Sequence, residues 1–336
     1  MYVEYFQLRE MPFSITPDPA YLYLTPRHQE ALGHLLYGTG QYGGFVQLTG
    51  EVGTGKTTIV RSLLEQKLPD VDVAMIHNPR QSEQEFVHSI CDELGVQYPR
   101  DNPTLKMLVD ALNAHLLRAH AAGRRTVLII DEAQNLMPSV LEQVRLLTNL
   151  ETAKEKLLRI MLVGQPELSA LLARPDLRQL ASRITARYHL TALTPAETRE
   201  YVEHRLRIAG AARPLFSAQS LQLVHNAARG NPRLINIICD RALMGAYALR
   251  EAQVTPQVLR TAAREALGEA DGGDIRAPLR WRWIELSLVI ALFACLAMFA
   301  YTYWPWRDTV PVPAVATNTP QPTPAAAPVA AAQVAE

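Results

Sequence analysis

Cysteine is scarce: the 336 residues hold only Cys91, Cys239 and Cys295, far apart and in no CxxC or Cys/His cluster. That spacing offers neither a disulfide framework nor a zinc site, and reads as three small apolar side chains used for packing. An excess of either charge is missing too, since 33 Lys and Arg balance 33 Asp and Glu. Without a long-range positive field, nucleic acid is not an expected partner. The N-terminal stretch "MYVEYFQLREMPFS" has no basic residues leading into an apolar run. This argues against a cleavable secretory signal and for a cytoplasmic start to the chain.

Long apolar runs are absent as well, with one exception. "IELSLVIALFACLAMFAYTYW" at 284–304 is roughly the length of helix that crosses a bilayer. Its one ionisable residue, Glu285, sits at the edge, and Trp281, Trp283, Tyr301, Tyr303, Trp304 and Trp306 mark its two ends as aromatic belts. A soluble helix this long would show a polar face. Arg276, Arg280 and Arg282 precede the span and only Arg307 follows it, which keeps the N-terminal side inside. The expected order is therefore a linker at 268–282 ("GEADGGDIRAP" at its start), a transmembrane helix at 283–304, and a disordered Pro/Ala-rich tail at 305–336 on the far side.

Ahead of the linker, short apolar runs alternate with helical periodicity. "GGFVQLTG", "DVAMIHN", "TVLIID" and "LLRIMLVG" read as strands, and the segments between them as helices, which predicts an α/β layer built on a parallel sheet flanked by helices over 1–193. From Thr194 the strands stop. "TPAETREYVEHRLRIAG", "SAQSLQLVHNAARG", "NPRLINIICDRALMGAYAL" and "TPQVLRTAAREALG" open on Thr, Ser or Asn at the cap position, and predict an all-helical unit over 194–267.

The densest chemistry lies in "GEVGTGKT", Gly50 to Thr57, which fits GxxxxGK[ST] between a strand and a helix. Gly50, Gly53 and Gly55 let backbone N–H groups wrap phosphates at a helix N-terminus, Lys56 sets a cation on the β- and γ-phosphates, and the Thr57 hydroxyl ligates Mg²⁺. Glu51, Val52, Thr54 and Thr58 complete the expected nucleotide-binding run. Asp131 leaves the end of the buried strand "TVLIID", where a Mg²⁺ shell would balance its charge, and Glu132 beside it is placed to activate the attacking water; a pair of solvated loop acids is the alternative. Gln165 ends the next strand, either to hold the water or γ-phosphate or as a turn residue extended by Pro166. Among Arg178, Arg183 and Arg187, Arg183 is the candidate to reach a neighbouring subunit's phosphoryl group, against a plain surface role. In "GNPR", Asn231 caps a helix and Pro232 suits its first turn. Arg233 is a cation where the helix dipole disfavours one, so an anion such as nucleotide phosphate should face it.

"GEVGTGKT", "LIIDEAQ", "VGQPEL", "SRI" and "GNPR", in this order and followed by helices, resemble an AAA+ ATPase with its helical lid. The block "YFQLREMPFSITPDPAYLYLTPRHQEAL" is similar to the start of the general secretion pathway protein A family. The resemblance covers 1–304. It implies ATP and Mg²⁺ as cofactors, Lys56 and Thr57 as nucleotide and metal contacts, Asp131 and Glu132 as the Walker B pair, and Gln165 as a sensor. It further implies Arg183 as the trans-acting finger, Arg233 as the lid sensor, and Tyr21 to Leu24 near the adenine. A homo-oligomer with shared sites, single-pass anchoring in the inner membrane and an inner-membrane envelope-assembly partner also follow from it, with the tail in the periplasm. Relatives continue into a peptidoglycan-binding domain where this sequence has a Pro/Ala tail, so direct cell-wall binding is not carried over. Secretin assembly, pilus and polysaccharide export are the pathways such ATPases serve. A DNA-acting ATPase of transposition or replication-initiation type, or a nucleotide-gated scaffold with incidental hydrolysis, are the rival functions.

Overall fold

The computed structural model describes residues 1–268 apart from 17, 41–43, 67 and 154. The remainder of the expected linker, the transmembrane helix at 283–304 and the tail at 305–336 lie outside the described residues. Among the described residues no helix is long and apolar enough to cross a membrane.

A parallel sheet occupies the centre of the α/β layer, formed by β1 (Phe45–Gly50), β2 (Val71–Ile76), β3 (Arg125–Ile130), β4 (Leu158–Gly164) and β5 (Ile184–Leu190), in the order β2-β3-β4-β1-β5. Strands β1 and β4 are buried along their whole length, as continuous apolar strands must be when helices cover both faces. Alternation decides the face. Val46, Leu48, Val127, Ile129, Met161 and Val163 meet α2 (Pro26–Thr39) and α3 (Lys56–Glu65). Phe45, Leu128, Ile130, Ile160 and Leu162 point the other way, to α4 (Glu83–Glu93), α5 (Leu105–Ala121) and α6 (Pro138–Leu147). Cys91 and Cys239 are free and buried, and burial pushes the Cys91 thiol up to about 11, so they pack as apolar groups.

The strand β5 is absent from the pattern of apolar runs. It lies at the sheet edge beside β1, where only its ends, Ile184 and Leu190, are buried and Arg187, Tyr188 and His189 intervene. Two short helices, α7 (Glu167–Leu172) and α8 (Arg178–Ala181), lead into it.

Beyond β5 come α9 (Pro195–Ile208), α10 (Ala218–Ala228), α11 (Pro232–Ala248) and α12 (Pro256–Leu267). Each starts at a polar cap, Thr194, Ser217, Asn231 and Thr255, whose side chain accepts backbone N–H groups of the first turn. Their apolar faces enclose a third core, and the N-terminus contributes to it: Tyr2 of α1 (Tyr2–Tyr5), Phe6, Leu8, Phe13 and Tyr21 lie among Val202, Leu215, Ile238 and Leu243. The chain thus begins inside the helical unit and crosses at 22–25 to the sheet, where α2 packs.

Phe13 is 1% exposed and meets the Phe216 ring edge-on at 6.1 Å. Phe13→Ala should therefore cost about 3–5 kcal/mol in denaturant unfolding, whereas an unchanged midpoint would make the N-terminal segment an appendage.

Candidate active site

The register brings three sequence-distant segments to one edge. Thr49 lies opposite Gly164 and Ile130 opposite Leu162, so Gly50, Asp131 and Gln165 all emerge at the C-terminal end of the sheet. From Gly50 the chain turns through Glu51–Gly55 and enters α3 at Lys56. Gly53 has φ +80, and a Cβ there would stand 2.6 Å from Asn231 Oδ1. Only glycine fits both the left-handed backbone and the contact. The N-cap of α3, Gly55, supplies no side-chain cap bond, so the first N–H groups of this helix form a donor set suited to an anion.

Lys56 is 6% exposed, and its Nζ donates to Gly50 O at 2.7 Å and Glu51 O at 2.9 Å. An ammonium carries three N–H donors, which leaves a third for a ligand. Burial pulls its pKa below the usual lysine value, and Glu132, Asp131 and Glu51 oppose that pull. Thr57 Oγ1 donates to Asp131 Oδ2 at 3.1 Å, while Asp131 Oδ1 accepts from Glu132 N at 2.9 Å. Among the described residues no group of three or more His, Cys, Asp or Glu is placed to hold a metal. The Thr57 hydroxyl and Asp131 carboxylate instead offer paired hard oxygens, which fits Mg²⁺ sharing its shell with phosphates and water rather than a protein cage.

Glu132 adopts φ 50 and ψ 37, a left-handed conformation that costs a non-glycine residue about 1–3 kcal/mol. Its carboxylate is gripped. Oε2 accepts from Gln134 Nε2 at 2.5 Å and from Gln165 Nε2 at 3.1 Å, and Gln134 Oε1 in turn accepts from Gln165 N at 3.0 Å. Gln165 is thus joined to Glu132, and Gln134, which the motif reading passes over, completes the polar group. Its trace in the sequence is one polar side chain two positions past the acidic pair.

The helical unit reaches into the loop through "GNPR". Asn231 Nδ2 donates to Val52 O at 2.6 Å, while its Oδ1 accepts from Arg233 N at 3.0 Å and Leu234 N at 3.4 Å. Gly230, at φ +73, is required where a Cβ would collide with the Leu193 carbonyl. Arg233 is exposed and lines one cavity with Gly53, Lys56, Thr57, Thr58 and Glu132. Next to it, a cavity is walled by Tyr21, Leu22 and Tyr23, by Thr58 and Ser62 of α3, and by Leu193 and Pro232. His28 supports the loop from below. Its ring lies between Thr25 Oγ1 at 2.6 Å and Thr54 O at 3.2 Å; because a carbonyl only accepts, Nε2 carries the hydrogen.

Arg183 is not gathered here. It precedes β5 at the opposite end of the sheet, about 20 Å away along the strands, and donates to Thr148 Oγ1 and to Arg145 O. Arg178 is exposed on α8, and Arg187 donates to Ala181 O at 2.6 Å.

Residues 39–172 match the family described as AAA domain. The chain is 50% identical over 279 residues to general secretion pathway protein A of Aeromonas hydrophila, covering 83% of this chain and 51% of that protein. It thus spans about half the length of this curated relative. Similar solved structures include Cdc6p from Pyrobaculum aerophilum, with a TM-score of 0.62 and 20% identity over 76% of this chain and 70% of that one. The Aeropyrum pernix ORC2 protein in its ADP form gives 0.57 and 18% over 76% and 72%. The Aeropyrum pernix ORC1 protein in complex with DNA gives 0.59 and 18% over 76% and 69%. At these identities the structures share the fold with this chain.

Gly53→Ala should weaken binding of a fluorescent ATP analogue more than about tenfold, a change of about 1.4 kcal/mol or more; unaltered affinity would show that the loop does not need this close contact. Burial also pushes His28, His204 and His225 below the ordinary imidazole value of 6.5. Below that pH the unfolded chain protonates first, so their contribution to stability is full above it and lost as pH falls through the folded values. Melting temperature should drop between about pH 7 and 5.5, and His28→Gln should make the drop shallower. Equal slopes in the two proteins would contradict this.

Proposed function

The chain belongs to the AAA+ P-loop NTPases and is a relative of general secretion pathway protein A, and on that premise we propose that it binds MgATP at the sheet edge and hydrolyses it. The observation that carries this reading is the Thr57–Asp131 hydrogen bond of 3.1 Å, which joins two residues 74 positions apart at the head of α3 and the end of β3. A structural turn alone would not require a hydroxyl and a buried carboxylate to meet beside a buried lysine.

In this reading the N-terminus of α3 and the remaining donor of Lys56 hold the β- and γ-phosphates, and the base lies in the cavity walled by Tyr21 to Tyr23. Thr57 and Asp131 would hold Mg²⁺, whose charge offsets that developing on the transferred phosphoryl group. Glu132 takes a proton from the attacking water as its oxygen bonds to the γ-phosphorus and the β–γ bridging oxygen leaves with the pair of electrons. Gln165 and Gln134 orient that carboxylate. Arg233 meets the phosphates from the helical side. Arg183, remote from its own chain's loop, serves a neighbouring subunit's site in a homo-oligomer, where such an arginine is worth about 10³–10⁵ in rate.

The apolar stretch at 283–304 anchors the protein once in the inner membrane, ATPase side in the cytoplasm, and an inner-membrane protein of an envelope export system is its partner. The relationship to general secretion pathway protein A supports that setting. Likeness to the DNA-bound ORC1 protein is one of fold, and zero formal net charge argues against the same use here.

Steady-state ATPase measurement tests the reading. Lys56→Ala should abolish nucleotide binding, and Glu132→Gln should keep binding while turnover falls about 10²-fold or more. A wild-type rate no higher than that of Glu132→Gln would leave a nucleotide-gated scaffold as the function.

A further inference from the structure

One charged side chain beside the site is explained by none of these roles. Arg205, on α9, is 7% exposed, and among the described residues it forms no ion pair. Its guanidinium is spread over neutral acceptors: Nε donates to Pro12 O at 2.6 Å, one terminal nitrogen to Tyr201 Oη at 2.9 Å and the other to Ser14 O at 3.2 Å. Its Cζ also lies 4.8 Å from the Tyr21 ring centre. A buried cation without a counter-charge is costly, so structures place one where an anion meets it or where its fork must hold something. Arg205 meets the second condition through the Pro12 and Ser14 carbonyls and is placed for the first. It lines the cavity that holds Tyr21 and Thr58 and also the one that holds Lys56, Thr57 and Arg233. The carbonyls it grips, those of Pro12 and Ser14, belong to the segment in which Ser14, Ile15 and Thr16 form a wall of the second cavity.

We propose that Arg205 is a positioning residue for the nucleotide, holding the Ser14–Thr16 wall across the phosphate-side cavity so that occupancy of the site and order in the N-terminal segment rise together. This rests on the nucleotide-binding reading given above. The coupling has a physical route: the phosphates bring negative charge to a cavity that already holds an unpaired buried guanidinium, and Arg205 transmits that attraction to residues 12–16 through two backbone carbonyls. Lysine keeps the charge but has no planar fork to span Pro12 O and Ser14 O.

The experiment measures a fluorescent ATP analogue's Kd, KM and kcat for ATP, and amide hydrogen exchange over residues 11–16, in the full chain, with Arg205→Lys and Arg205→Met. In the wild type, nucleotide should slow exchange over 11–16. Arg205→Met should raise Kd and KM at least about tenfold with kcat within about threefold, and lose the nucleotide-dependent protection. Arg205→Lys, which keeps the buried cation, should recover part of the affinity without the protection. Wild-type affinity and protection in either folded variant would overturn the proposal while leaving the nucleotide site intact. Failure of the wild-type protein to bind the analogue would instead remove the nucleotide-binding reading beneath it.

Discussion

Much of the arrangement depends on one side chain, Asn231. Its amide nitrogen donates to the Val52 carbonyl in the glycine loop, and its amide oxygen caps α11. A single planar group therefore ties the helical unit to the loop and starts the helix that carries Arg233. The neighbouring constraints converge on the same point: Gly53 can accept no Cβ against Asn231, and Gly230 can accept none against Leu193. On the sheet side, His28 holds the Thr54 carbonyl from α2. The loop is consequently gripped from both layers, and any shift of one layer relative to the other must pass through it.

The site concentrates unfavourable terms that the rest of the fold supports. Lys56 is buried, with its pKa drawn down by desolvation, and Glu132 sits in a left-handed conformation. Arg205 is buried without a counter-charge among the described residues. Each is tolerable because fully buried strands and capped helices hold the backbone around it. A bound anion would relieve two of these costs at once, which is the thermodynamic basis for a site that orders on binding.

What could be read from the chain beforehand follows the range of the interaction. The glycine loop, the Asp131–Glu132 pair and the caps at Thr194, Ser217, Asn231 and Thr255 are local, each decided within a few residues, and they are legible as motifs. The strand β5 is not, because an edge strand buried only at Ile184 and Leu190 carries Arg187, Tyr188 and His189 between them and lacks the apolar run that marks its neighbours. Gln134, His28 and Arg205 also escape notice, since beside a local partner each has another that is 31, 26 and 193 positions away in the chain, respectively. The packing of Phe6 and Phe13 against helices beyond residue 194 is of the same kind. Apolar character marks the two phenylalanines for burial, and only the topology says where.

The claim at the centre is that Arg233, fixed by the Asn231 cap against the glycine loop, reads the phosphates. Comparing Kd for ATP and ADP in the wild-type protein and in Arg233→Ala tests it most directly. The account predicts that the variant loses about tenfold or more of its ATP affinity with a much smaller change for ADP, narrowing the difference between the two nucleotides. Equal losses for both, or none for either, would contradict it.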